Sequence, residues 1–106
     1  MDMPFLIVLC TCTDEKESKR IAQALVDEHL SACVNILPKV RSVYRWEGSV
    51  EWADETLLVI KTTTDAFPAL RDRIGQLHSY ETPEIVALPI AAGSDKYINW
   101  LQAQVR

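Results

Sequence analysis

Glycine is scarce in this chain, with only three in 106 residues. A Gly-rich loop that wraps a phosphate cannot be assembled from so few. Positive charge is also in short supply. Lys and Arg total 11 against 15 Asp and Glu, a net charge of −4, and no basic stripe is visible. This argues against a nucleic-acid partner, whose affinity rests largely on clustered Lys and Arg. No apolar run approaches the eighteen or so residues of a membrane span, so no membrane partner is expected. The three cysteines, Cys10, Cys12 and Cys33, are an odd number without secretory context, which speaks against a disulfide framework. The opening Met1-Asp2-Met3-Pro4 has no basic n-region and leads straight into a strand-like segment. It does not read as a signal peptide, and a cytoplasmic home is the expectation. There is no internal repeat, linker or low-complexity run. The hydrophobic content of 48% suits one globular domain spanning residues 1–106.

The most informative segment is 34–64. It reads as two strands folded on one turn near Glu47-Gly48-Ser49. The first places Val34, Ile36, Val40, Tyr44 and Trp46 on one face, and the second carries Val50, Trp52, Thr56, Leu58 and Ile60. At about 3.3 Å per residue, a strand from Val34 to Glu47 reaches roughly 45 Å. A compact domain of this length is only about 33 Å across. The ribbon tip, with Tyr44, Trp46, Val50 and Trp52, must therefore leave its own globule or bend, with a bulge expected near Pro38. An isolated two-stranded ribbon is marginal in water, so other copies of the chain are expected to cover it, with the aromatics as interface anchors. A three-residue loop would pair Trp46 with Val50, Tyr44 with Trp52, Arg45 with Glu51 and Arg41 with Glu55. Those matched pairs favour that register over a two-residue loop at Gly48-Ser49.

The remaining elements follow from periodicity and caps. Phe5 to Cys10 is a continuous apolar run that suits a strand buried on both faces. Asp14 with Glu17 three residues on forms a capping-box pattern, and the charged run from Asp14 to Arg20 reads as a solvated helix start. Ile21, Ala22, Leu25, Val26 and His29 carry that helix to about Leu30-Ser31, with His29 a hydrogen-bonded core or boundary residue. Thr64 or Asp65 is expected to cap a second helix with Phe67, Leu70, Ile74 and Leu77 inward. A polar loop, 78–84, precedes a strand from Ile85 to Ile90. Ser94 then caps a last helix with Tyr97, Ile98, Leu101 and Val105 inward. The order β-α-β-β-α-β plus a terminal helix gives an α+β, ferredoxin-like split βαβ sandwich with an extended hairpin. In that arrangement the first and last strands are antiparallel neighbours, which brings Cys10 near Glu84.

Several segments resemble one family. Leu9-Cys10-Thr11, Leu30-Ser31-Ala32-Cys33-Val34-Asn35, Tyr44-Arg45-Trp46-Glu47-Gly48, Ile60-Lys61-Thr62-Thr63, His78-Ser79-Tyr80-Glu81-Thr82-Pro83-Glu84-Ile85 and Asn99-Trp100-Leu101 are similar, in order, to the CutA divalent-cation tolerance family. The resemblance implies a ferredoxin-like fold, a PII-like homotrimer and a role in tolerance of copper and other divalent cations. It brings no settled catalytic activity. The family's copper ligands, the Cys of Leu-Cys-Thr and the Glu of Tyr-x-x-Pro-Glu, map to Cys10 and Glu84. Many members place His-His-Pro-Tyr before that Glu. Here the run is Leu77-His78-Ser79-Tyr80, so one ligand position is occupied by Leu77 and His78 stands as the substitute.

The expected metal ligands are therefore Cys10, His78 and Glu84, a thiolate, an imidazole and a carboxylate that suit Cu(II) or another divalent cation. Their bland counterpart is a buried Cys, a helix-terminal His on backbone carbonyls and a Glu at a strand start. Cys10 and Cys12 share a strand face and together suit Cu(I). The alternative is that Cys10 fills core while Cys12 sits at a frayed strand end. Tyr80, Glu81, Glu84 and His78 also suit a small-molecule pocket at a subunit cleft. This gives the alternative of a PII-like signalling module for an anionic or nucleotide-like ligand. A trimeric scaffold for a protein partner is a third reading. No nucleophile–base–orienter set is legible, so an enzyme is not expected, nor is an organic cofactor.

Overall fold

The computed structural model describes residues 4–106. The segment Met1–Met3, on which the reading of the chain start rests, lies outside them. The elements are β1 (Phe5–Cys12), α1 (Glu15–Asp27), β2 (Cys33–Trp46), β3 (Ser49–Thr63), α2 (Phe67–Leu77), β4 (Val86–Pro89) and α3 (Asp95–Gln104). The four strands form one antiparallel sheet in the order β2-β3-β1-β4. This is the expected α+β ferredoxin-like topology, with β1 and β4 adjacent and Leu9 opposite Val86.

Alternation along β1 decides where the cores lie. Val8, Cys10 and Cys12 point to the face covered by the helices, where they pack with Leu58 and Ile60 of β3, Ile21 and Leu25 of α1, and Leu70 and Ile74 of α2. All nine of these side chains are fully buried, and each large aliphatic one contributes about 1.5–3 kcal/mol of transfer free energy. A smaller core of Phe5, Ala32, Ile98 and Leu101 seats α3 at one end of the sheet. Phe5 alternates with Leu6 and so lies on the opposite face from Val8. The rest of that opposite face carries half-buried Ile7, Leu9, Leu57 and Val59 and exposed Leu37, Val86 and Leu88.

The ribbon projects as its length requires, and the molecule measures 44 × 27 × 23 Å. β2 slips by one residue against β3 between Leu37 and Val40, the bulge expected near Pro38, and Lys39 there takes φ 63°. The hairpin register differs from the expected one. The loop has two residues, Glu47 and Gly48, with φ 49° and 80°. Trp46 is opposite Ser49, Arg45 opposite Val50, Tyr44 opposite Glu51 and Val43 opposite Trp52. Two successive positive φ values make a tight turn whose twist matches the strands, and this outweighs the side-chain pairing that favoured three residues. The aromatics consequently separate. Tyr44 and Trp46 share a face with Glu55, while Trp52 and Val50 share the other with Arg41 and Arg45. Arg41 pairs with Asp54 at 3.3 Å rather than with Glu55.

Local ends also differ. α1 stops at Asp27 because His29 takes φ 60°. Its N–H then donates to Val26 O and that of Leu30 to Leu25 O, a Schellman-type closure. His29 Nδ1 lies 3.1 Å from Gln104 O, the boundary role expected of it. At the start of α2 neither Thr64 nor Asp65 caps with its side chain. Thr63 Oγ1 accepts from Ala66 N instead. β4 is shorter than the apolar run 85–90, and Ser94 caps α3 as expected. Of the residues expected inward on α3, Ile98 and Leu101 are buried, whereas Tyr97 is exposed and stacks at 5.5 Å on Trp100.

Candidate metal centre

Three soft donors meet at the end of β1. A ligand atom each from Cys10, Cys12 and His78 lie within 4.8 Å of one another, and all three residues are buried. The strand period brings the two thiols to one face. His78 joins them because α2 ends at Leu77, with His78 N donating to Ile74 O. Cys12 is fully buried in the main core, so it is not at a frayed end. Glu84 is not a member of this cluster and lines the adjoining cleft, although its charge still bears on Cys10.

The hydrogen bonds state what a cation must displace. His78 Nδ1 accepts from Tyr80 N at 3.0 Å, which leaves Nε2 to carry the hydrogen and donate to Thr11 O at 2.8 Å. Both ring nitrogens are therefore engaged. The Cys10 thiol is pushed far above its ordinary range by its hydrogen bond with Cys12, by burial and by the charges of Glu84 and Glu17. It is a protonated thiol in the free protein. An ion that binds here must displace thiol protons, which only a thiophilic metal does readily.

Glu17 locks the loop beneath this cluster. Its Oε1 accepts from Thr13 N at 3.0 Å and Thr13 Oγ1 at 3.1 Å, and its Oε2 accepts from Ser79 N at 2.9 Å. Asp14 Oδ1 meanwhile caps Glu17 N. Burial raises the Glu17 carboxyl, but the hydrogen bonds from Ser79 and Thr13 outweigh it and hold the group at about 2. Asp14, Glu15, Lys16, Lys19 and Arg20 are exposed, as expected of a solvated helix start, but Glu17 and Ser18 are buried. The capping pattern was the only signal in the sequence that Glu17 makes specific contacts.

Between the loop and the ribbon lies a cleft of ≈ 690 Å³. Tyr44 and Trp46 form the ribbon side, and Tyr80, Glu81 and Glu84 the loop side. Glu55 stands on its wall, only 9% exposed, and accepts from the Tyr80 hydroxyl at 2.9 Å. Burial, then the neighbouring Glu55, raise the Tyr80 phenol. Alternation along β3 sets the face of Glu55, and the observed register puts Tyr44 and Trp46 on that face where Arg41 was expected opposite it. The lining includes three carboxylates and no Lys, Arg or His. That composition suits a cation and opposes the anionic or nucleotide-like ligand considered from the sequence.

Comparisons agree with the fold. Residues 6–104 match the profile described as CutA1 divalent ion tolerance protein. The divalent-cation tolerance protein CutA of Thermus thermophilus is 53% identical over 96 residues, 91% of this chain and 93% of the relative. A solved structure from that organism superposes with a TM-score of 0.95 at 50% identity, covering 96% of this chain and 99% of the other. The chloroplastic protein CutA of Arabidopsis thaliana is 42% identical over 104 residues, 98% of this chain, but the chain spans only 57% of that relative. It spans 51% of the human one. A structure from Archaeoglobus fulgidus, titled a periplasmic divalent cation tolerance protein, has a TM-score of 0.93 at 36% identity, with 96% and 99% coverage. With nearly all of its described length matched in both sequence and shape, this chain belongs to the CutA1 divalent ion tolerance family.

Proposed function

We propose that this chain is a non-enzymatic, homotrimeric copper- and divalent-cation-binding protein, a single domain over residues 1–106 acting in the cytoplasm in metal tolerance. Cys10, His78 and Glu84 remain in the ligand set, and Cys12 is added to it. The observation that carries the reading is the convergence of two thiols and an imidazole within 4.8 Å. This donor set suits copper or zinc. Glu84 is the carboxylate nearest in kind, placed in the cleft beside the cluster. Three free thiols fit a reducing compartment. No described helix is long and apolar enough to cross a membrane.

Trimerisation is supported by what one copy leaves bare. Leu37, Val86 and Leu88 on the uncovered sheet face, and Val43, Trp46 and Trp52 on the ribbon, are all more than 40% exposed. Apolar surface on this scale marks an interaction site, and closed rings of identical copies cover such surfaces without leaving strand edges. The metal reading is tested by titrating Cu and Zn into wild type, Cys10→Ser, Cys12→Ser and Glu84→Gln. One ion per chain is expected, with roughly tenfold or greater loss in each serine variant. Undiminished affinity in Cys10→Ser would remove the cluster from the account.

A further inference from the structure

The donor cluster at the end of β1 is closed as well as soft, and closure bears on the oxidation state of the metal it can hold. We propose, resting on the metal-binding reading above, that the ion held by Cys10, Cys12 and His78 is Cu(I) in planar three-coordination. Zinc and Cu(II) fit the same residues less well.

Among the described residues no other His, Cys, Asp or Glu joins the three ligand atoms that lie within 4.8 Å of one another. Glu17 Oε1 is 3.8 Å from His78 Nε2, but both Glu17 oxygens already accept hydrogen bonds from Thr13 and Ser79. Glu84 faces the adjoining cleft. Water is shut out too, because Cys10, Cys12 and the His78 side chain are each 0% exposed. The thiols lie in the main core on the helix-covered face, so this closure is complete within one chain and does not depend on what other copies cover. The triangle also has a suitable size. A metal–sulfur bond of about 2.3 Å sets the donors of a planar trigonal site about 4 Å apart, so closing on an ion needs shifts of less than about 1 Å.

Thiolates select Cu(I), whose filled d shell asks for no fourth ligand. Zinc is almost always four-coordinate, and Cu(II) takes a tetragonal set of N and O donors. Either would have to draw Glu84 or water into a closed core. As Cu(I) enters, each thiol gives its proton to solvent. His78 gives up one of its two hydrogen bonds, to Thr11 O or from Tyr80 N.

The test is anaerobic titration of the whole untagged protein with Cu(I), read by competition with bathocuproine disulfonate, beside Zn(II) read with a chromophoric zinc chelator. One Cu(I) per chain is expected, with zinc at least roughly a hundredfold weaker. X-ray absorption of the loaded wild type should show two sulfurs and one nitrogen around copper and no fourth ligand, a readout that needs no variant. Cys12→Ser should remove one sulfur from that shell and weaken Cu(I) at least roughly tenfold. Glu84→Gln should weaken zinc more than Cu(I). A four-coordinate copper shell, zinc as tight as Cu(I), or unaltered Cu(I) affinity in Cys12→Ser would each overturn the choice of Cu(I). Zinc or Cu(II) binding that weakens in Cys10→Ser would then leave the broader metal-binding reading standing. Absence of binding by all three ions would overturn both.

Discussion

Replacing Glu17 with Gln removes one charge from a residue that is 8% exposed and joins α1 to the loop after α2. A carboxyl held at about 2 in the folded chain, against an ordinary 4.5, favours folding above pH 4.5. That contribution is about 3 kcal/mol at neutral pH, and it is lost as pH falls from the ordinary value through the folded one. The glutamine keeps the shape but can offer only one accepting oxygen where the carboxylate offered two, so Thr13 or Ser79 loses its acceptor. We expect Glu17→Gln to lower stability by about 2–3 kcal/mol at pH 7. The gap to wild type should shrink below about 1 kcal/mol near pH 2, where the native carboxylate is itself half protonated. Urea is the suitable denaturant, because guanidinium would screen the charge. Protein concentration must be fixed, since assembly contributes to apparent stability. Equal stability of variant and wild type at pH 7, or a gap independent of pH, would refute the reasoning.

Other outcomes follow from single contacts. Glu47 holds φ 49° in the hairpin turn, and Glu47→Asn should raise stability by about 0.5–1 kcal/mol, read as an increase in Tm. A Cβ at Gly93 would stand 2.9 Å from both Cγ1 and Cδ1 of Ile98, so Gly93→Ala should cost about 1–2 kcal/mol in urea unfolding as the second core shifts. Trp52, 67% exposed on one copy, should be covered in the assembly. Trp52→Glu is expected to shift sedimentation toward smaller species at micromolar concentration. Because metal entry displaces thiol protons, apparent copper affinity should rise with pH, by about tenfold per unit for each proton released. A flat profile between about pH 6 and 8, read by competition with a chelator, would contradict that step.

The topology was legible because each element carried its own signal. The apolar run 5–10, the stripes of α1 and α2 and the overlong alternation of 34–64 all reappear in the structure. What was not legible lay at points where backbone conformation competes with side-chain pattern. Side-chain matching favoured a three-residue loop, but φ above zero at Glu47 and Gly48 set a two-residue one and moved Trp52 away from Tyr44. That single step also brought Tyr44 and Trp46 to the face of Glu55. In the candidate site, Cys10 and His78 come together as the topology requires. Cys12 takes the third place in the cluster because the core continues to the last residue of β1, whereas Glu84 precedes β4 and faces the cleft. Glu17 was read as solvated because its partner Ser79 is 62 residues away, beyond the reach of any local pattern.

Native mass spectrometry of untagged protein, before and after copper addition, tests the central claim most directly, since one spectrum reads both assembly and metal load. The account predicts a species of three 12.0 kDa chains that takes up one ion per chain, and no uptake by the Cys10→Ser, Cys12→Ser double variant. A monomer, or a trimer that gains no copper, would contradict it.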